Sequence, residues 1–474
     1  MKAKLTILLL ALLSYSCASY HHANQKFNRL FEEGELEKAD QVLAADSKAT
    51  EGKARLLYFM NRGVVASLRG AYEESNQFLE QAYVIGEDLR NNHWNVAASY
   101  LVNPLLSHYT GEDHELLLIH YYKALNFLQL GDTQSALVEC RRLNVKLNKY
   151  AGQYAGGESL KYRRDAFVHT LMGLIYDASG DDNNAFVAYR NAIEIYEEEY
   201  QPLFGITAPQ QLKEDLLRTA YRIGFTAELK HYEEQFGMSY QPTAHTGGDL
   251  VFFWNNGLGP VKSEWSVNFA LVRGAGGLVN FQNDQHGWSF PFYLNSDREY
   301  EEKGLHRLEV IRVAFPSYQE RPLYFEQATL RAQGRSFALE KAEDVNAIAF
   351  QALQQRMLKE FSRSLLRVAL KKAAEYGVRE KNGDLGSLLG VVNALTERAD
   401  TRNWQTIPHT IYYRRIPLPE GEQTVQLALQ GRESSQTYDF TFNIQRQRTV
   451  FHLFQSPETS AYPMITDHYH PASR

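Results

Sequence analysis

Cysteine is nearly absent from this chain of 474 residues: only Cys17 and Cys140 occur. A disulfide framework is thereby excluded, and the fold must be held by its apolar core. Long apolar runs are missing too. After residue 17 nothing approaches the roughly 18–20 uninterrupted apolar residues that a membrane-spanning helix needs. Positive charge is not in excess, since 50 Lys and Arg stand against 56 Asp and Glu, a formal net charge of −6. Without a basic stripe or patch, nucleic-acid binding is excluded as a class. The signatures of a zinc protease, a serine esterase and a dithiol oxidoreductase (His-Glu-x-x-His, Gly-x-Ser-x-Gly, Cys-x-x-Cys) do not occur. Carboxylates are plentiful, but their separations in space are unreadable, so a glycosidase pair stays open.

What is present begins at the N-terminus. Lys2 and Lys4 precede an apolar run from Leu5 to Leu13, which ends in Ser14-Tyr15-Ser16-Cys17. A charged start, a short apolar core and a small residue at the cut site are the parts of an export signal. The segment resembles a bacterial lipobox, with Tyr15 as a departure from its small residues. That resemblance implies a signal peptide over 1–16, cleavage before Cys17, and diacylation of its thiol. An ordinary signal peptide is the rival reading. Loss of Lys2 and Lys4 would take the charge to −8. Residues 17–26, with His21-His22, read as a lipidated linker. Ala18, where Asp would favour inner-membrane retention, points to the outer membrane, facing the periplasm. Association is therefore expected with the membrane through lipid, and with envelope proteins as partners.

The next region repeats itself. Gly34, Gly70, Gly131 and Gly180 each sit between two apolar helical patterns, with polar residues following and Ala or Ser five positions on. Gly63, Gly70, Tyr72, Leu79 and Ala82 fall where a tetratricopeptide repeat (TPR) carries its small and large residues; so do Gly173, Tyr176, Gly180, Ala185, Tyr189 and Ala192. Gly permits the tight turn between antiparallel helices, and small residues allow close approach. The intervals are 36, 61 and 49 residues, so the array over 27–240 is irregular. Residues 210–236 read as capping helices. Stacked hairpins form a concave groove, and Tyr58, Tyr121, Tyr122 and Tyr176 are its candidate partner-binding residues, with core packing as the alternative for each.

Gly237 to Gly248 marks the domain boundary. From Asp249 the period changes to that of strands: Leu250–Trp254, Leu308–Phe315, Leu323–Leu330, Thr410–Ile416, Gln423–Leu429, Tyr438–Ile444 and Thr449–Phe454. Short polar turns between the last three predict an antiparallel meander. Helical patterns over Ala342–Tyr376 and Leu385–Arg398 interrupt them. The fold class expected is α+β: an all-α TPR-like superhelix, then a mainly antiparallel, sandwich-like β domain over 249–456 with a helical insertion at about 342–398. A flexible tail over 457–474 follows. Arg356, Lys359, Arg363, Arg367, Lys371 and Lys372 give the inserted helix a basic face, read first as solvated, with a binding surface for anionic lipid or glycan as the alternative.

Gly257-Leu258-Gly259-Pro260-Val261-Lys262-Ser263 lacks phosphate-loop spacing, and Pro260 removes an amide that a phosphate would need, so a structural turn is expected. His468 and His470, near Asp467, read as part of the tail, and no metal or cofactor is expected. Asp400, Arg402 and Trp404 are expected to lock the junction between the last helix and the final strands by a charge-assisted hydrogen bond and a stacked contact.

Ser16-Cys17, the repeats, Gly257 to Glu264, Ala399-Asp400-Thr401-Arg402-Asn403-Trp404 and Ile416-Pro417-Leu418-Pro419-Glu420-Gly421 together resemble a family of Gram-negative TPR-containing lipoproteins. The resemblance covers nearly the whole chain. It implies an envelope lipoprotein encoded near activators of penicillin-binding proteins, hence an association with cell-wall synthesis, and it transfers no catalytic residue. The expected function is a non-enzymatic interaction scaffold. The alternative is a cell-wall glycan-binding protein or hydrolase with its site in the C-terminal domain, and peptidoglycan is the ligand that reading would require.

Overall fold

The computed structural model describes residues 20–46, 48–91, 107–153, 164–242, 247–285, 287–381 and 399–459. Cys17, His468, His470 and the expected helix Leu385–Arg398 lie outside the described residues.

The helical half consists of antiparallel pairs. After a short α1 (Tyr20–Ala23) come α2 (Gln25–Glu32) with α3 (Leu36–Ala44), α4 (Arg55–Leu68) with α5 (Tyr72–Asn91), α6 (Asp113–Gln129) with α7 (Thr133–Gln153), and α8 (Ala166–Ala178) with α9 (Asp182–Ile195). A π-turn (Tyr196–Tyr200) and a one-turn α10 (Gln201–Phe204) lead to the last pair, α11 (Gln210–Arg222) and α12 (Thr226–Phe236). Among the described residues one local device closes five hairpins. The turn residue is Gly34, Gly70, Gly131, Gly180 or Gly224, each with φ between +73° and +78°. The next amide then donates back into the first helix: Glu35 to the Leu30 carbonyl, Ala71 to Ala66, Asp132 to Phe127, Asp181 to Tyr176 and Phe225 to Ala220, at 2.8–2.9 Å. These bonds satisfy carbonyls that a helix end leaves open, and only glycine enters the required left-handed region without strain.

Helix spacing within pairs is set by absent side chains. A Cβ on Gly63 would meet Leu79 at 2.5 Å, and one on Gly173 would meet the Tyr189 ring at 2.3 Å. The array is TPR-like, as its repeat pattern predicts.

The described residues of the C-terminal half form three four-stranded sheets. In the first, β1 (Gly248–Asn256) lies between β12 (Thr449–Ser456) and β9 (Thr410–Leu418), and β8 (Glu340–Asp344) flanks β9. The second has the order β11 (Ser435–Ile444), β10 (Gly421–Gly431), β6 (Phe325–Ala332), β7 (Arg335–Ala338). The third runs β4 (Trp288–Tyr293), β3 (Leu278–Asn283), β2 (Val261–Arg273), β5 (Val310–Gln319). The first two sheets form the expected sandwich, with Leu250, Phe252, Trp254, Ile416 and Leu418 facing Phe325, Leu330, Val425, Leu427 and Leu429. The third packs on a short α13 (Asp297–Glu302) and the long α14 (Val345–Lys381), through Phe269, Phe281, Ile311 and Val313 against Leu365, Val368 and Ala369.

Two expectations need correction. The final three strands are not one meander: β10 and β11 pair antiparallel, whereas β12 crosses to the first sheet and pairs parallel with β1, Phe253 opposite Leu453. The reason is that β12 buries Phe451 towards the helices while His452 and Phe454 meet Phe252 and Phe440 in the sandwich. Nor does the linker reading hold for the described part of 17–26, because α1 is helical from Tyr20 and bonded to the C-terminal half, through the Tyr20 amide to Thr401 Oγ1 at 3.2 Å.

One core spans the two halves. One apolar cluster runs from Phe27 through the helices to Ala220 and continues into Val251, Phe253, Trp404, Ile407, Ile411, Tyr413 and Phe451. Strand β1 is therefore buried on both faces: Leu250, Phe252 and Trp254 point into the sandwich, and Val251 and Phe253 onto the array. That is why its sequence is a near-continuous apolar run where a one-sided strand would alternate.

Candidate functional site: the concave face of the helical array

The first helices of the hairpins line one face of the array, and that face holds the chain's own first sheet and the 399–409 loop. Trp404 is the central anchor. It is fully buried, with its ring 5.8 Å from that of Tyr122 on α6, and its amide donates to Glu115 Oε1 at 2.6 Å. The other oxygen of Glu115 accepts from the Tyr109 hydroxyl at 2.6 Å and from the Glu112 amide at 3.0 Å, as the capping box of α6. Burial, reinforced by Glu112, raises the Glu115 carboxyl above its ordinary range, and Lys262 opposes this. Lys262 itself is buried and ion-paired with Glu112. Nearby, Thr406 Oγ1 donates to Asn61 Oδ1 on α4 at 3.0 Å.

Two motifs singled out in the sequence turn out to be partners. The Ala399 amide donates to Glu264 Oε2 at 3.0 Å, the Lys262 amide to Asn403 Oδ1 at 3.2 Å, and Asn403 Nδ2 to the Pro260 carbonyl at 2.8 Å. The Gly259 amide bonds the Ile407 carbonyl at 2.8 Å, and a Cβ there would meet Ile407 at 2.7 Å. Gly257 turns with φ +61° beside Leu323. Arg321 ties both segments, donating to the carbonyls of Gly259 and Gln405. The segment from Gly257 is thus a turn against the 403–407 loop.

Arg402 grips Asp400 with two bonds, Nε to Oδ1 at 2.8 Å and Nη2 to Oδ2 at 2.7 Å. Its remaining arm donates to the carbonyls of Lys53 at 3.3 Å and Ser107 at 3.1 Å, and the guanidinium lies 5.4 Å from the Tyr109 ring centre. The charge-assisted Asp400–Arg402 hydrogen bonds are present, but they bolt the loop to the helical array, and the ring contacts of Arg402 and Trp404 are with Tyr109 and Tyr122; the last helix of the expected junction lies outside the described residues.

The tyrosines chosen from sequence divide. Tyr121 and Tyr122 are buried against the C-terminal half, the Tyr121 hydroxyl donating to Asn255 Oδ1 at 2.8 Å. Burial pushes both phenols above their usual range. They do not line an open groove, because the sheet fills it. Tyr58 and Tyr176 are half-buried and accept from arginines of the array, Tyr58 from Arg62 at 3.0 Å and Tyr176 from Arg141 at 2.6 Å.

Sequence reasoning missed the charged part of this face. Arg415 on β9 lies against Asp177, Asp215 and Asp249 at 2.7, 2.9 and 3.0 Å. Arg218 and Arg222 also meet Asp177, at 2.5 and 3.0 Å. Burial pushes the Asp177 carboxyl up, but Arg415 and Arg218 outweigh it and hold it well below the ordinary range. A second missed group is Glu343 on β8, which accepts from the Tyr200 hydroxyl at 2.9 Å beside the Tyr196 hydroxyl that donates to the Ala342 carbonyl at 2.7 Å. Burial, then Asp165, raises the Glu343 carboxyl well above its usual range. The only signal in the sequence was charge within apolar runs, which a solvent-facing reading explains equally well.

Of the basic helix face, Lys372 pairs with Glu375 at 3.3 Å, while the side chains of Arg356, Lys359, Arg363 and Arg367 lie outside the described residues. Among the described residues no group of three His, Cys, Asp or Glu is arranged to hold a metal ion, and no helix is long and apolar enough to cross a membrane.

No protein-family model matches the chain, and no curated protein matches it in sequence. Several solved structures are similar to part of it. MamA is 13% identical and covers 46% of this chain and 96% of its own, with a TM-score of 0.28. BtubC from P. vanneervenii is 16% identical over 46% of this chain and 80% of its own, with a TM-score of 0.29. A tetratricopeptide repeat protein from Parabacteroides merdae is 15% identical over 47% of this chain and 81% of its own, with a TM-score of 0.20.

Proposed function

We propose that this chain is a protein–protein interaction scaffold of the bacterial envelope, lipid-anchored through Cys17 to the outer membrane and facing the periplasm. The Cys17 segment and the family resemblance support the location, and the resemblance alone supports a link to cell-wall synthesis.

One observation carries the scaffold reading. The inner face of the array is committed to the chain's own sheet, so the second helices of the pairs are what the array offers to other proteins. They expose apolar side chains: Val84 on α5, Val138 and Val145 on α7, and Val187 on α9, with Val145 68% exposed. Val138 and Val145 are seven residues apart, hence on one face of α7.

Photoreactive residues at Val138, Val145 and, as a buried control, Tyr122 test this in the full chain expressed in cells. Discrete protein adducts from the two valine positions and none from Tyr122 are expected. Adducts on glycan alone, or none from the valines, overturn the reading in favour of a cell-wall ligand. The anchor is read separately: Cys17→Ser releases the protein from membranes, and continued association overturns the lipid attachment.

A further inference from the structure

The described chain opens with two residues fastened to the 399–409 loop. The Tyr20 amide donates to Thr401 Oγ1 at 3.2 Å, and His21 Nδ1 lies within hydrogen-bond distance of Gln405 Oε1 at 2.9 Å and of Asn28 Nδ2 at 3.1 Å. Asn28 Nδ2 on α2 donates to the same Gln405 oxygen at 2.8 Å, and Asn24 Nδ2 donates to the Tyr20 carbonyl at 2.9 Å, closing α1 onto α2. The Tyr20 phenol is desolvated beside Arg402 and Glu115. The chain's entry is thus bound to the same loop that bolts the sheet to the array, and Arg402 extends that contact to the turn carrying Lys53.

We propose that the face formed by α1, residues 400–401 and the turn around Lys53 lies against the phospholipid headgroups of the membrane that holds Cys17. The inference rests on the anchor reading above and adds an orientation to it. Two residues, Ala18 and Ser19, separate Cys17 from Tyr20. At full extension the three Cα–Cα steps span only about 10 Å. A fold of this length has a radius of gyration of about 23 Å. A tether shorter than the body's own radius cannot let the body turn freely over its anchor, so the side on which the tether ends must face the bilayer. A flexible spacer of about 20 residues would reach roughly 25 Å on average and remove that constraint.

Glu51 is exposed, two residues from Lys53 but far in sequence from the anchor, and Val145 is exposed on α7, which packs between α6 and α8. Bimane is attached to a cysteine at one or the other position in the lipidated chain; Cys140 is buried and does not compete. The protein is reconstituted into phosphatidylethanolamine/phosphatidylglycerol vesicles containing a nitroxide-headgroup lipid. Bimane at Glu51→Cys should be quenched at least two-fold more than bimane at Val145→Cys. A flexible Gly-Ser spacer of about 20 residues after Ala18 should bring the two to the same level without touching the fold. Equal quenching at both positions in the short-tethered protein overturns the face assignment. Failure of the anchor itself is read from Cys17→Ser protein that stays with the vesicles, which removes the tether argument independently of any quenching result.

Discussion

Arg415 Nη2 lies 2.7 Å from Asp177 Oδ2, joining β9 to the end of α8 across 238 residues of sequence. The same guanidinium touches Asp215 and Asp249, and the Tyr189 hydroxyl accepts from it at 3.2 Å. A buried cation among three carboxylates ties the helical pairs, the first sheet and the last hairpin at one point.

Replacing Arg415 by Met leaves that negative charge buried with only the arginines of α11 to answer it. A loss of about 3–5 kcal/mol is expected, the range for breaking a buried ion network by removing one partner. Arg415→Lys should recover little, because one ammonium cannot reach three carboxylates in fork geometry. Denaturant midpoints of the three proteins check both statements.

Glu343 predicts the opposite pH behaviour from Asp177. Its folded-state carboxyl titrates well above 4.5 because burial disfavours the charge. The folded chain therefore binds the proton more tightly than the unfolded chain, and stability falls as pH rises from the unfolded value through the folded one. Glu343→Gln keeps a neutral group beside Tyr200 and removes that loss. Its thermal midpoint should match the parent near pH 4 and exceed it increasingly towards pH 8. A constant difference across that range would assign Glu343 no titration.

His452 should act in the acid range. Burial lowers its pKa to about 4, and Phe252, Phe440 and Phe442 surround it at 5.0, 4.8 and 5.2 Å between ring centres. The unfolded chain takes up the proton first, so stability is full above pH 6.5 and falls as the pH drops towards 4. His452→Phe should leave stability at pH 7 little changed and abolish a loss on the order of 2 kcal/mol at pH 4. Parallel melts at the two pH values measure it.

Gly173 and Gly34 separate two roles of glycine. Gly173→Ala drives a methyl into the Tyr189 ring, with a cost of about 1–3 kcal/mol from overpacking. Gly34 has open space around it but φ +73°, so Gly34→Ala costs about 1–2 kcal/mol through backbone strain alone. Gly173→Ala combined with Tyr189→Leu should recover part of the loss, while no neighbour's truncation should rescue Gly34→Ala. Urea titrations distinguish the two.

The helical pairs were legible because their determinants are local: a glycine, the residue after it, and small residues at fixed spacing. Gly224 closes a fifth turn of the same kind, and its hairpin was expected only as capping helices. Strands β2, β3 and β4 were not read. In β2 a buried Lys262 follows Val261, and β4 carries Pro291 with alternate residues exposed, so neither shows the run of β-branched residues that marks a strand. The junction was beyond reach for another reason. Tyr122 meets Trp404, and Asp177 meets Arg415, only because the fold brings distant segments together. A single sequence displays such residues as an aromatic or a charge and nothing more.

Strand β12 follows every helical pair in chain order, yet it pairs with β1, the strand on which the helical array closes. A chain delivered from its N-terminus therefore completes every hairpin while the partner of the inner face is still unfinished. The Tyr122 hydroxyl and the Gln129 amide lack their partners, Gln455 Oε1 and the Phe451 carbonyl, until residues 449–456 arrive. That interval, set by order of synthesis and lengthened by non-local pairing, leaves part of the newborn array's inner face exposed until the last strand of the first sheet is in place.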